Sequence, residues 1–185
     1  SNEVAYNGRM FQKTAEPGGK RFLFPQSIWL DVKGTERGNK NHSVPEQIDA
    51  AAQLVSKAAA VYEGLPKLFL ITPFTTVNRA LQDALYPALH KALPELELEE
   101  IRAWLKESCG TIHTFQGKEA NEVLLVLGCD GQSGKGAAQW VGQKPNIINV
   151  AVSRAKYRLG VIGDYDLWKN IPYVGTVCKH LEKGR

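Results

Sequence analysis

The chain has 185 residues, of which 43% are hydrophobic and 23% charged. This length and balance predict one globular domain over residues 1–185 with a core of its own, and they exclude a disordered chain. The net charge of +4 is compatible with a nucleic-acid partner but does not by itself establish one.

The three cysteines, Cys109, Cys129 and Cys178, lie far apart and form no Cys-x-x-Cys pair. This spacing argues against a disulfide framework or a zinc knuckle, so we interpret each as a small buried residue in a reducing, cytoplasmic compartment. The apolar runs are too short to span a bilayer, and Ser1–Met10 lacks the apolar run of a signal peptide. We therefore expect no membrane partner.

Short apolar runs rich in branched and aromatic residues predict strands. In chain order they are Ser27–Val32, Leu68–Thr72, Gly110–His113, Val123–Gly128 and Leu159–Gly163. The runs Leu68–Ile71 and Val123–Leu127 are apolar at every position, which is typical of strands covered on both faces of a parallel sheet.

Helical spacing of apolar residues lies between these strands. The predicted helices are Pro45–Tyr62, Thr75–Leu93, Leu98–Lys106, Pro145–Tyr157 and Asp166–Leu181, and the predicted loops are Lys33–Ser43 and Cys129–Lys144. The alternation predicts an open, three-layer α/β/α fold with a mostly parallel sheet. Ligands of such folds gather beyond the carboxyl ends of strands, here Thr72–Phe74, His113–Gly117 and Gly163–Asp164.

Polar side chains cluster where the strand within Gly110–Glu119 ends. Thr111 and His113 alternate along the predicted strand and are therefore expected on one face, where they could touch phosphate oxygens or stack on a base. For His113 alone, a histidine satisfied at a strand edge is the alternative interpretation.

The segment Pro145–Arg158 carries an apolar stripe of Ile148, Ala151, Val152 and Ala155 at helical spacing. Arg154 lies at the flank of this stripe, where its fixed guanidinium fork could reach a phosphate across an interface. The alternative is an arginine whose stem packs on the stripe while its charge stays in water.

Together, in this order, these segments resemble a known family. Gly110–Glu119 resembles motif V of superfamily 1 helicases, especially the up-frameshift-suppressor type, and Asn149–Lys156 resembles motif VI, with mild departures at Ser153 and Lys156. Leu70–Phe74 resembles the family's Ile-Thr-Pro-Tyr turn. Ser1 and Asn2, with Tyr6 and Gly8, resemble the stretch after motif IV.

The resemblance implies the second RecA-like domain of a motor with a P-loop NTPase fold. It implies that Arg154 is the arginine finger for the γ-phosphate of ATP and that Gln116, with it, is catalytic. Gly117 would line the same cleft, and Glu119 would contact the nucleotide sugar.

The same resemblance implies a track for single-stranded nucleic acid, DNA or RNA. Thr72, Thr111 and His113 would contact phosphates or a base, and Pro73 would shape the turn beside them.

The chain departs from a complete helicase because it has no Gly-x-x-x-x-Gly-Lys-Ser/Thr loop and no Asp-Glu box. The lookalike Gly131–Gly136 has the wrong spacing and is interpreted as a flexible loop. ATP and Mg²⁺ would therefore be held mainly by an N-terminal RecA-like domain of the same polypeptide, and this chain alone would be inactive.

Two alternatives stay open. A helicase half without turnover could act as a nucleic-acid-binding or docking module, through its basic charge and the Lys33–Ser43 loop. A stand-alone α/β enzyme with a mononucleotide fold is less favoured, since no Gly-x-Gly-x-x-Gly follows a strand and no nucleophile lies in an elbow context.

Overall fold

The computed structural model describes residues 21–38, 40–115 and 117–184. Within them one sheet contains the strands β1 (Ile28–Asp31), β2 (Leu68–Thr72), β3 (Cys109–Thr111), β4 (Ala120–Val126), β5 (Ala155–Gly163) and β6 (Glu182–Gly184). The order is β3-β2-β4-β5-β1-β6, and every neighbouring pair is parallel. The resemblance at residues 1–8 lies outside the described part of the chain.

The helices of the described residues alternate with these strands. They are α1 (Pro45–Tyr62), α2 (Thr75–Ala92), α3 (Leu98–Ser108), α4 (Lys135–Gly142), α5 (Pro145–Arg154), α6 (Tyr165–Trp168) and α7 (Val174–His180), and a 3₁₀ turn spans Ile112–Phe115. The helices α1, α2 and α3 pack on one another, whereas α5 packs on α4, the 3₁₀ turn and β4.

The central strand β4 shows why the sheet lies inside the domain. Every residue from Val123 to Val126 is buried, so both faces of this strand are covered. The three-layer α/β fold with a parallel sheet, expected from the apolar runs, is confirmed.

Local signals in the sequence explain the best-predicted helices. Helix α1 begins at Pro45, whose fixed φ suits a first turn, and it is followed by the C-cap residue Glu63 in a left-handed conformation with φ 51. Helix α3 begins with a reciprocal capping box between Glu97 and Glu100. The predicted bounds of α1 match the observed ones.

Two expectations near the proposed site are wrong. Strand β3 ends at Thr111 and His113 lies in the 3₁₀ turn, so these residues do not alternate along one strand. Helix α5 ends at Arg154 instead of Tyr157, because the chain enters β5 at Ala155 and pairs there with Ala120 of β4.

The predictions for Cys129–Lys144 and for the C-terminal region also need correction. The former contains helix α4, and the single helix predicted over Asp166–Leu181 is two short helices followed by β6. Pro172 lies between α6 and α7 and lacks the N–H that a continuous helix would need.

The described residues bear out the interpretation of the cysteines as buried thiols. Cys109, Cys129 and Cys178 are all free and buried. Within the same part of the chain, no helix combines the length and apolar character needed to cross a membrane.

Candidate functional site

The carboxyl ends of β2 and β3 form one wall of a groove. Thr72 pairs with Thr111 in the sheet, so the turns after both strands lie side by side. The groove has a volume of about 590 Å³, and Pro73, Thr111 and His113 line it. The structure therefore brings together three of the four residues predicted for the nucleic-acid track.

Thr72, the fourth, is fully buried and does not line this groove. Its hydroxyl accepts a hydrogen bond from the Phe74 N–H at 3.4 Å. In this conformation Thr72 shapes the turn around Pro73, and its contact with a phosphate or a base stays a prediction.

The opposite wall comes from α4 and α5, and it contains groups that sequence reasoning missed. Trp140 is 41% exposed, and the Lys144 amine lies 4.6 Å from the centre of its ring. Trp140 also packs on Phe74 with a ring separation of 6.2 Å. The sequence did contain one signal for this pair. Trp140 and Lys144 are four positions apart, and residues at this spacing share one face of a helix.

The segment 112–119 carries the chain from this edge of the sheet to the other. It leaves β3 at the carboxyl-terminal edge and reaches Ala120, whose partner Ala155 begins β5. Phe115 is buried and packs on Phe69 of β2 at 4.6 Å, which anchors the segment midway. The segment that resembles motif V therefore reaches from one edge to the other.

Arg154 lies at the amino-terminal edge, at the last position of α5. Its Nη1 donates to the Lys118 carbonyl at 3.1 Å, and its Nη2 donates to the Ser153 hydroxyl at 3.0 Å. Glu119 lies next to Lys118, and its carboxylate is 3.6 Å from the Lys156 amine. Arg154 and Glu119 therefore lie near one another at the amino-terminal edge. The sequence analysis had expected ligands at the opposite edge, beyond the carboxyl ends of the strands.

Gly117 precedes Lys118 in the chain and is exposed, with φ 79, a left-handed conformation that glycine adopts without strain. Gln116, predicted to be catalytic, lies outside the described residues.

The guanidinium of Arg154 suits an anionic ligand. It is partly buried, both of its described hydrogen bonds go to neutral oxygens, and no carboxylate of the described residues lies within ion-pair distance. Its Nε is buried without a hydrogen-bond partner there. Because a buried donor without an acceptor is unfavourable, a phosphate oxygen reaching this group would satisfy both its charge and its hydrogen-bonding capacity.

The glycine-rich segment after β4, interpreted as a flexible loop, is a turn filled by the chain itself that leads into α4 at Lys135. The Asp130 Oδ1 accepts from the N–H groups of Gln132, Ser133 and Gly134 at 2.9, 2.6 and 3.2 Å. Burial acts to raise the pKa of Asp130, but the hydrogen bonds from Glu36, Ser133 and Gln132 outweigh it and lower that pKa to about 2.

Comparison with known proteins agrees with this geometry. A family model described as an AAA domain matches residues 2–166. The chain belongs to this family. The family comprises C-terminal domains of superfamily 1 helicases, so the chain is a helicase-like, RecA-type domain of the P-loop NTPase class. A comparison with curated proteins finds no match.

Proposed function

We propose that this chain is the second motor domain of an ATP-dependent superfamily 1 helicase of the up-frameshift-suppressor type. One observation supports this most strongly. The two segments that resemble motifs V and VI both run between the groove at one edge of the sheet and Arg154 at the other. Helix α5 has 10 residues, which gives a length of roughly 15 Å.

On the nucleotide side, Arg154 acts as the arginine finger. An N-terminal RecA-like domain of the same polypeptide holds ATP and Mg²⁺, and ATP supplies the phosphoryl group when bound. The Arg154 guanidinium neutralises the charge that builds up during phosphoryl transfer. Glu119 contacts the nucleotide sugar, and Gln116 with Gly117 lines the cleft.

On the nucleic-acid side, a single strand of DNA or RNA lies in the groove between the ends of β2 and β3 and helices α4 and α5. Exposed His113 offers a ring for stacking, and Thr111 offers a hydroxyl to phosphate oxygens. Pro73 shapes the turn that forms the base of this contact.

The two sides are coupled through α5 and the segment 112–119. Val150 and Ile147 of α5 line the groove, and the same helix ends at Arg154. Closure of the two motor domains on ATP and their opening after hydrolysis would move these segments together and advance the strand.

The test joins this domain to its upstream domain and measures ATP hydrolysis stimulated by single-stranded nucleic acid. We expect Arg154→Ala to lower the rate on the order of a thousandfold, as for arginine fingers generally. Arg102→Ala is the matched control, because Arg102 is an exposed arginine on α3 that pairs with Glu99. An unchanged rate in Arg154→Ala would remove the arginine-finger role.

A binding or docking module without turnover is the second candidate. It is favoured by the groove itself, because Trp140, Lys144 and His113 could hold a strand there without any hydrolysis of ATP. The upstream coding sequence separates the candidates. A phosphate loop and an Asp-Glu box there support the motor, and their absence supports the module.

A further inference from the structure

A buried cluster lies where the segment after β1 meets the end of β4. Glu36, His42 and Cys129 each offer one atom of the kind that binds metals, and these atoms all lie within 4.8 Å of one another. Carboxylate oxygen, imidazole nitrogen and thiolate sulfur together are the donor types of zinc sites. A search for Cys-x-x-Cys spacing does not find this cluster, because Cys129 lies far along the chain from the other two residues.

Two carboxylates lie next to one another in this cluster. The Glu36 side chain is 1% exposed, and buried Asp130 adjoins it. The Glu36 N–H donates to the Asp130 Oδ2 at 2.9 Å, and the Asp130 N–H donates to the Glu36 Oε1 at 3.4 Å. Among the described residues, neither carboxylate has a lysine or arginine within ion-pair distance. Asp130 is stabilised by the N–H groups of the turn, and the basic group beside Glu36 is the His42 imidazole. A cation bound between Glu36 and His42 would pair with a carboxylate that is already withdrawn from solvent.

The His42 ring directs one nitrogen towards Glu36. Its Nδ1 is buried, has no hydrogen-bond partner among the described residues and lies 3.5 Å from the Glu36 Oε2. The ring packs on Phe74 with a centroid separation of 4.6 Å, which limits its rotation. The ring is therefore held with its Nδ1 facing the carboxylate, so one ion between them could contact both groups.

The backbone fixes Cys129 beside His42. The Cys129 N–H donates to the His42 carbonyl at 2.9 Å, and both residues have left-handed backbones, with φ 61 and 58. Burial and the carboxylates of Glu36 and Asp130 raise the pKa of the Cys129 thiol, so without a cation it stays protonated.

We propose that Glu36, His42 and Cys129 form a binding site for a zinc-type divalent cation, with solvent as the fourth ligand. Zn–S and Zn–N bonds of about 2.3 and 2.0 Å require the ligand atoms to approach to roughly 3.5 Å of one another, a modest contraction of the cluster. On binding, the Cys129 S–H bond breaks, the sulfur forms a bond to the cation, and the proton leaves to solvent. Each carboxylate oxygen of Glu36 keeps a lone pair for coordination beyond the hydrogen bond that it accepts.

Such a cation would join two parts of the carboxyl-terminal edge. It would fasten the segment between β1 and α1 to the end of β4. His42 also packs on Phe74, which contacts Trp140 in the groove. The cation would therefore brace one wall of the groove without touching Arg154.

The direct test is titration of the metal-free chain with Co²⁺, which reports thiolate coordination through a near-ultraviolet charge-transfer band. We expect this band in the unmodified chain and in Cys178→Ser, whose thiol is buried elsewhere on α7. It should be lost in Cys129→Ser and weakened in His42→Gln. Persistence of the band in Cys129→Ser would overturn the proposal.

A second measurement needs no variant and so does not depend on whether Cys129→Ser folds. The Tm of the unmodified chain is compared in Zn²⁺ and in chelator. Because the cation binds the folded state, the Tm should rise with Zn²⁺ concentration. Absence of both the Co²⁺ band and the Tm rise would also overturn the proposal. Neither assay contains ATP or nucleic acid, so its failure leaves the helicase proposal intact.

Discussion

The two edges of the sheet differ in how their polar groups are satisfied. At the carboxyl-terminal edge, the backbone N–H groups of the glycine-rich turn already have an acceptor in Asp130, and the groups left open are an exposed tryptophan ring, a histidine and a hydroxyl. At the amino-terminal edge, Arg154 keeps a charge that no described carboxylate neutralises. The first edge therefore suits stacking and adaptable contacts, and the second suits one strongly charged anion.

One mutation at each edge should affect the two activities separately. In the two-domain protein, Arg154→Ala should lose turnover on the order of a thousandfold while single-strand affinity stays nearly unchanged, because the groove lies at the other edge. Steady-state hydrolysis and fluorescence anisotropy with a labelled oligonucleotide measure the two quantities. Equal losses in the rate of hydrolysis and in single-strand affinity would contradict separate roles for the two edges.

The next largest effect should come from Trp140. Base stacking on an aromatic side chain contributes about 1–3 kcal/mol, so Trp140→Ala should weaken single-strand binding by roughly 5- to 150-fold. Trp140→Phe, which keeps a ring, is the matched control and should retain most of the affinity.

Fluorescence gives an independent readout of the same residue. Trp29, Trp104 and Trp168 are buried, whereas Trp140 is exposed. Oligonucleotide binding should therefore quench mainly Trp140. Quenching that persists in Trp140→Phe would show that the strand binds elsewhere.

Loss of the Asp130 hydrogen bonds to the turn at 131–134 should change the free energy of unfolding by about as much as Trp140 contributes to binding. Asp130→Ala leaves three backbone N–H groups without their acceptor and should lower the free energy of unfolding by roughly 1–3 kcal/mol. Urea denaturation measures it. Asp130→Asn keeps an acceptor oxygen and should cost less, and equal losses in the two variants would argue against the hydrogen bonds as the cause.

The smallest expected effect is electrostatic. Lys144 lines the groove and is exposed, so Lys144→Gln should remove about one phosphate contact and reduce the salt dependence of single-strand binding by roughly 0.7 in the log–log slope. Lys106→Gln on α3 is the control. An unchanged slope in Lys144→Gln would place the phosphates away from Lys144.

The sequence was most informative where one physical signal dominated. The apolar runs of β2 and β4 and the start of α1 at Pro45 predicted those elements well, because burial on both faces and a proline in the first turn leave few alternatives. The end of α5 was missed because helical spacing continues through Ala155, and only sheet pairing with Ala120 ends the helix at Arg154.

The candidate site was predicted only in part, for the same reason. The motif resemblance selected Arg154, Glu119 and His113, but it could not say that the first two lie at the opposite edge from the third. The two edges are separated by the segment 112–119, which connects the end of β3 to the start of β4. Phe115 in this segment packs on Phe69 of β2. The burial of Thr72 and the exposure of Trp140 likewise follow from tertiary packing.

The Asp130 carboxylate acts as a built-in substitute for a phosphate group. A phosphate group approaching the turn at 131–134 would compete with the Asp130 carboxylate for the same N–H donors. The carboxylate is already bound to them, is part of the same chain, and would repel the phosphate by its negative charge. The N–H groups of this turn are therefore not open to a phosphate, which leaves the guanidinium of Arg154 as the anion-binding group on which the proposed nucleotide contact depends.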